Sequence, residues 1–253
     1  MDVLDDKFIS LLPAAVIEQA NDGVGERLLR EYGAVFAAGG RVEPPDRLIF
    51  RDEAEVAAFQ RRVVVGAVKF GDITIELQSR AADALKQAVD AARAVGLSIN
   101  PRSADSGRRN YADTVSLWHS RVEPALDHWI AQQKLSLADA ANIRRLSPFE
   151  QVPAVLSLEE KGIFFAKDLT KTILYSVAPP GASQHLSMLA FDVAEFNNPA
   201  VRKLLADHNW YQTVISDLPH FTYLGFPEAD LPARGLKKVI FDEREFWLPA
   251  NEE

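Results

Sequence analysis

One carboxylate constrains the fold of this chain more than any other residue. Asp192 interrupts the apolar run Leu189-Ala190-Phe191-Asp192-Val193, a pattern that reads as a short buried strand. A charged oxygen in such a place is costly unless it is paired or coordinates something, so the fold must bring a partner to it. His185 precedes it on the same segment. His220 opens His-Phe-Thr-Tyr-Leu-Gly-Phe, an aromatic and β-branched stretch that reads as a second strand with His220, Thr222 and Leu224 on one face. Alone, His220 reads as a satisfied core histidine; its meaning changes when the residues are taken together.

Two imidazoles and a carboxylate are the donor set of a catalytic zinc site, in which three protein ligands leave a fourth position open to water. His185, Asp192 and His220 are the expected ligands. Asp217, three residues before the last of them, is the expected proton acceptor.

A third segment, Asp105-Ser106-Gly107-Arg108-Arg109-Asn110-Tyr111, lies upstream. The order S-G-x-R, then S-x-H, A-x-D, then D-x-x-H-F resembles the VanY-type zinc D-Ala-D-Ala carboxypeptidase family (LAS-type peptidoglycan peptidases) from roughly Ile75 to Phe226. The proline-bearing approach Ala178 to Gln184 fits the same pattern. The resemblance implies an α+β fold, hedgehog/DD-peptidase-like, with a small antiparallel sheet carrying the zinc site and helices flanking it. It implies Zn2+ held by His185, Asp192 and His220, with Asp217 as catalytic base. Arg109 would stabilise the polarised carbonyl or anchor the substrate, and Ser183 would contact the peptide near its carboxylate end. The implied substrate is a peptidoglycan stem peptide containing D-amino acids, cut most readily as a D-alanyl-D-alanine carboxypeptidase would. Endopeptidase or dipeptidase action at the same site, or a non-catalytic cell-wall peptide-binding module that keeps the fold, are the alternatives. Three positions depart from the pattern: Met188 stands where the family usually has glycine, Asp217 where many members have glutamate, and Asn110 where a hydroxyl residue is usual.

Composition narrows the rest. A formal charge of −8 over 253 residues, with no basic run, disfavours nucleic acid and anionic membranes as partners. The absence of cysteine excludes a disulfide framework, thiol catalysis and Cys-type zinc sites. No apolar run is long enough for a transmembrane segment, and Met1 to Lys7 lacks the pattern of a signal peptide. The chain is therefore either cytoplasmic or preceded natively by a leader. A cell-wall substrate favours the second, periplasmic or extracellular, reading.

The expected organisation is a helical N-terminal extension over 1–73, packed on the core, and a zinc peptidase domain over 74–253 with a helical insertion at about 119–165. Helices are predicted over Phe8 to Gln19, Glu53 to Val63, Leu85 to Val95 with Gly96 as the stop, and after Tyr111 to about Trp129. Further helix starts are predicted at Ser136-Leu137, Ser147-Pro148 and Asn198-Pro199. Strands are predicted over Leu97 to Asn100, Trp210 to Ile215 and, last, Lys237 to Phe241. His119, His128 and His208 and the four tryptophans are expected in packing roles, Arg108 as a surface ion pair. Glu159-Glu160 and Asp242 to Glu245 are expected as solvated faces, and Glu195 to face water.

Overall fold

The computed structural model describes residues 4–251. In chain order the elements are α1 (Asp6–Ile9), α2 (Ala14–Gln19), α3 (Gly23–Tyr32), α4 (Glu53–Arg62), β1 (Val65–Phe70), β2 (Ile73–Gln78) and α5 (Ser79–Ala94). Then come α6 (Tyr111–Ala131), α7 (Leu137–Arg145) and α8 (Pro148–Glu159). They are followed by β3 (Ala190–Asp192), α9 (Pro199–Asp207), β4 (Trp210–Tyr211), β5 (His220–Tyr223), β6 (Leu236–Phe241) and β7 (Arg244–Pro249). Among the described residues the strands pair antiparallel as β1-β2, β3-β5-β4 and β6-β7, so the chain is α+β with small antiparallel sheets, as expected. It groups into two compact units, one of residues 1–48, 58–109 and 184–253, the other of residues 49–57 and 110–183.

The first unit is organised around β3-β5-β4, every residue of which is buried. Register places Asp192 opposite His220, Phe191 opposite Phe221 and Ala190 opposite Thr222. Directly opposed residues share a face and neighbours along a strand alternate. Asp192, His220 and Thr222 therefore lie on one side, and Phe191 and Phe221 on the other. On the apolar side Phe191 stacks on Phe70 at 5.9 Å and meets the edge of Trp210 at 6.2 Å. Burial of each such ring contributes roughly 1.5–3 kcal/mol, which offsets the cost of the polar face.

Helix α5 forms on a stripe of Ala81, Leu85, Ala88 and Ala92, all buried. It ends as predicted at Gly96, whose φ of 74° lets Leu97 N bond back to Ala92 O at 2.9 Å and Gly96 N to Arg93 O at 3.1 Å. Four expectations need correction. The single helix over Phe8 to Gln19 is two, because Pro13 cannot continue α1 and instead begins α2. Leu97 to Asn100 is an extended strap, not a strand: Pro101 makes only an isolated bridge to Val193, having no N–H to extend a ladder. Glu195 holds that strap, accepting from Asn100 N at 2.8 Å and Asn100 Nδ2 at 2.6 Å, so it does not simply face water. Only Trp210 and Tyr211 of the predicted strand join the sheet, since the Gln212 carbonyl turns to Trp247 N at 2.9 Å.

The C-terminal hairpin corrects the reading of Lys237 to Phe241 as the last strand. Asp242 and Glu243, with φ of 47° and 59°, form a tight left-handed turn that joins β6 to a further strand, β7. The acidic run forms the hairpin loop and the start of β7, with Asp242, Glu243 and Glu245 exposed as expected.

In the second unit the capping signals hold. Asn110 and Asp113 cap α6 reciprocally, and Ser147 and Glu150 do the same for α8, with Pro148 in its first turn. Pro124 lies inside α6 without ending it. Glu159 was expected to be solvated but is only 5% exposed. Its carboxylate accepts from Ile173 N at 2.6 Å, Phe165 N at 3.2 Å and Thr172 Oγ1, closing the loop after α8. Glu159→Ala would strand these donors, and at about 1–3 kcal/mol for each group left unsatisfied it should destabilise the protein by roughly 3 kcal/mol or more. Urea unfolding measures this directly; a loss under about 1 kcal/mol would mean that water replaces the carboxylate.

Candidate metal centre

His185 lies in a short 3-10 turn, Gln184–Ser187, immediately before β3. The segment is therefore not extended through His185, so strand alternation does not set Ser183 on the same face as that ring. Ser183 is buried and is the last residue of the second unit. The His185 ring is 1% exposed, and its Nδ1 sits 2.7 Å from the Gly107 carbonyl. A carbonyl only accepts, so Nδ1 carries the proton and Nε2 presents its lone pair.

That Nε2 lies 3.2 Å from Asp192 Oδ1, and His220 Nδ1 lies 3.4 Å from the same oxygen. The two rings meet edge to face with centroids 4.9 Å apart. Each of the three residues offers a ligand atom within 4.8 Å of the others. His185 Nε2 and Asp192 Oδ1 are both buried without a hydrogen-bond partner, an arrangement that is unfavourable for two electron-rich atoms unless a cation lies between them. Ligands about 2.0–2.2 Å from a tetrahedral zinc ion stand about 3.3 Å from one another, which the two contacts to Asp192 Oδ1 match. The cluster fits a metal ion.

Charge states agree with this geometry. Burial opposes ionisation of Asp192, but the positive charge that the adjoining rings carry when protonated, His185 first, outweighs it and holds the carboxyl well below the usual range. Burial pushes the His185 pKa down, more than the neighbouring Asp192 raises it, and favours the neutral ring. A carboxylate and a neutral imidazole are the forms that bind metal.

Arg109 reaches the same carboxylate from the opposite side, with Nη2 2.7 Å from Asp192 Oδ2 and Nε 3.1 Å from the Asp105 carbonyl. By occupying Oδ2 it leaves Oδ1 turned to the imidazoles. Arg108 points elsewhere, to Glu76 at 3.0 Å and Gln60 Oε1 at 2.8 Å, as a surface ion pair. Gly107 is required between Ser106 and the arginines: a Cβ there would meet Ile75 Cγ2 at 2.6 Å and the Glu76 carbonyl at 2.9 Å, displacing the loop that presents its carbonyl to His185. Asp217 is exposed on the turn before β5, its carbonyl accepting from His220 N at 3.1 Å, and its carboxylate lies outside the ligand cluster. His208 bonds the Leu204 carbonyl at 2.8 Å, and His128 packs on Trp129 at 4.9 Å.

Met188 explains one departure from the motif. Its φ is 60°, the left-handed conformation that glycine adopts freely, and its side chain is fully buried. Left-handed backbone costs a residue with a Cβ about 1–2 kcal/mol, whereas truncating a buried methionine costs about 2–5 kcal/mol. Met188→Gly should therefore lower stability by roughly 1–3 kcal/mol with zinc affinity retained. A higher melting temperature in the variant would mean that strain, not packing, dominates there.

An α+β fold in which a sheet and the 3-10 turn before it gather two imidazoles and a carboxylate into one buried cluster defines a protein built to hold a metal ion. The sequence model of the family described as VanY, D-alanyl-D-alanine carboxypeptidase, matches residues 74–237. The chain belongs to that family, and is a peptidase of the D-Ala-D-Ala carboxypeptidase type. Among solved structures, one similar chain is a point mutant of the vancomycin resistance D,D-pentapeptidase VanY from a VanB-type resistance cassette, in complex with Zn(II). It is 17% identical, with a TM-score of 0.35, over 65% of this chain and 82% of that one. No curated protein matches this sequence. Among the described residues no helix is long and apolar enough to cross a membrane.

Proposed function

We propose that the protein hydrolyses a peptide bond in D-amino-acid-containing peptidoglycan stem peptides in a zinc-dependent reaction, acting as a D-alanyl-D-alanine carboxypeptidase. The observation that carries this reading is the approach of His185 Nε2 and His220 Nδ1 to one orphaned oxygen of Asp192. Bound zinc supplies a Lewis acid and lowers the pKa of water enough for it to act as a nucleophile near neutral pH. Asp217 accepts the proton from the attacking water and returns it to the leaving amine. Arg109 holds the peptide's terminal carboxylate, or the oxyanion that develops on its carbonyl, in the fixed geometry a guanidinium provides. A cell-wall substrate places the enzyme in the periplasm or outside the cell.

The test is cleavage of stem pentapeptides by zinc-loaded protein, with products identified by mass. Release of the terminal D-alanine that stops on chelation is expected. Cleavage only at internal bonds would make the enzyme an endopeptidase, and tight peptide binding with no cleavage at full zinc occupancy would make it a binding module.

A further inference from the structure

We infer that Gln184 is the positioning residue of the metal centre, fixing the tautomer of His220 and tying it to the end of helix α3. The inference rests on the zinc site proposed above. Gln184 is 3% exposed, and its Nε2 donates to the Tyr32 carbonyl at 2.8 Å. Because that carbonyl can only accept, the orientation of the amide is determined: nitrogen faces Tyr32 and oxygen faces the opposite way. The oxygen meets His220 Nε2 at 2.9 Å. It also accepts from Thr222 Oγ1, while Thr213 Oγ1 stands 2.6 Å from Thr222 Oγ1 and 3.4 Å from the amide oxygen.

An amide oxygen has no proton to give, so His220 Nε2 must carry one. The proton is thereby removed from Nδ1, the atom turned toward Asp192. Without the amide, the ring could carry its proton on Nδ1 and bond Asp192 directly, closing the position a metal needs. Partners of this kind set the orientation and basicity of a ligating imidazole, and their loss typically weakens metal binding 10–100-fold. The chain thus uses residues 23–32, which lie outside the motif-bearing region, to control a ligand near its other end.

The experiment uses the full chain and zinc alone, with affinity read by competition against a chromophoric chelator and the His220 tautomer read by long-range proton-nitrogen NMR. In the wild type, without and with zinc, His220 should carry its proton on Nε2. Gln184→Met, similar in volume but with no amide, should raise the zinc Kd by roughly 10–100-fold and mix the tautomers of the metal-free ring. Thr213→Val, which removes a neighbouring hydroxyl but not the Gln184 to His220 bond, should change the Kd less than about threefold. A wild-type His220 protonated on Nδ1 overturns the inference, as does unchanged zinc affinity in Gln184→Met or an equal loss in Thr213→Val. If Gln184→Met does not fold, the wild-type tautomer decides. Failure of the wild type to bind zinc would defeat the proposed function, while the metal-free tautomer would still test the role of Gln184.

Discussion

Asp217→Asn is expected to lose about 10²–10⁴-fold in turnover, the contribution of a positioned general base, while retaining one zinc per chain. The amide keeps the shape of the side chain but cannot accept the proton from water. His185→Ala should lose metal and activity together, because removing one of three ligands leaves the buried Asp192 oxygen without an adequate donor set. Zinc content by atomic absorption, measured beside kcat, separates the two. Near-wild-type turnover in Asp217→Asn would remove that residue from the mechanism, and wild-type zinc content in His185→Ala would refute the ligand assignment.

The second large effect concerns Arg109, which is expected to distinguish substrates by their terminal charge. A charge-assisted hydrogen bond to a carboxylate contributes about 1.5–3 kcal/mol, or roughly 10–100-fold. Amidating the C-terminus of the peptide should therefore lower kcat/KM by about that factor in the wild type and much less in Arg109→Ala. Equal loss with both substrates in the variant would assign the guanidinium to the transition state instead. Kinetics unchanged on removal would exclude both roles. Because Arg109 also pairs with the largely buried Asp192, the variant should be checked by thermal melting, since an uncompensated buried carboxylate costs about 3–5 kcal/mol.

Parts of this arrangement were legible before any coordinates. Asp192 declared itself by being charged inside an apolar run, and His220 by heading a β-branched strand; a period of two then placed His220 and Thr222 on one face. Helix limits were equally plain wherever a cap is chemical, as at Ser147-Pro148 and Gly96. Other features left no comparable trace. The carbonyl that fixes His185 is backbone, and every residue has one. Gln184 is an ordinary amide until Tyr32 is folded beside it, a contact across most of the chain. Glu159 next to Glu160 resembles any exposed acidic pair, because only the loop over it shows that backbone donors lack another acceptor. The missing strand at Leu97 to Asn100 follows from Pro101, whose effect depends on where Val193 lies.

The unit that holds the metal centre is stitched from three separated stretches of sequence, 1–48, 58–109 and 184–253. During synthesis, Tyr32, Gly107 and Arg109 emerge before His185, and the last donor, His220, emerges after all of them. No early fragment contains the complete ligand set. Completing the cluster therefore needs contacts between stretches distant in sequence, the kind that are slowest to form. A chain halted before His220 would carry Arg109 but not the third donor, so the cluster could not be completed.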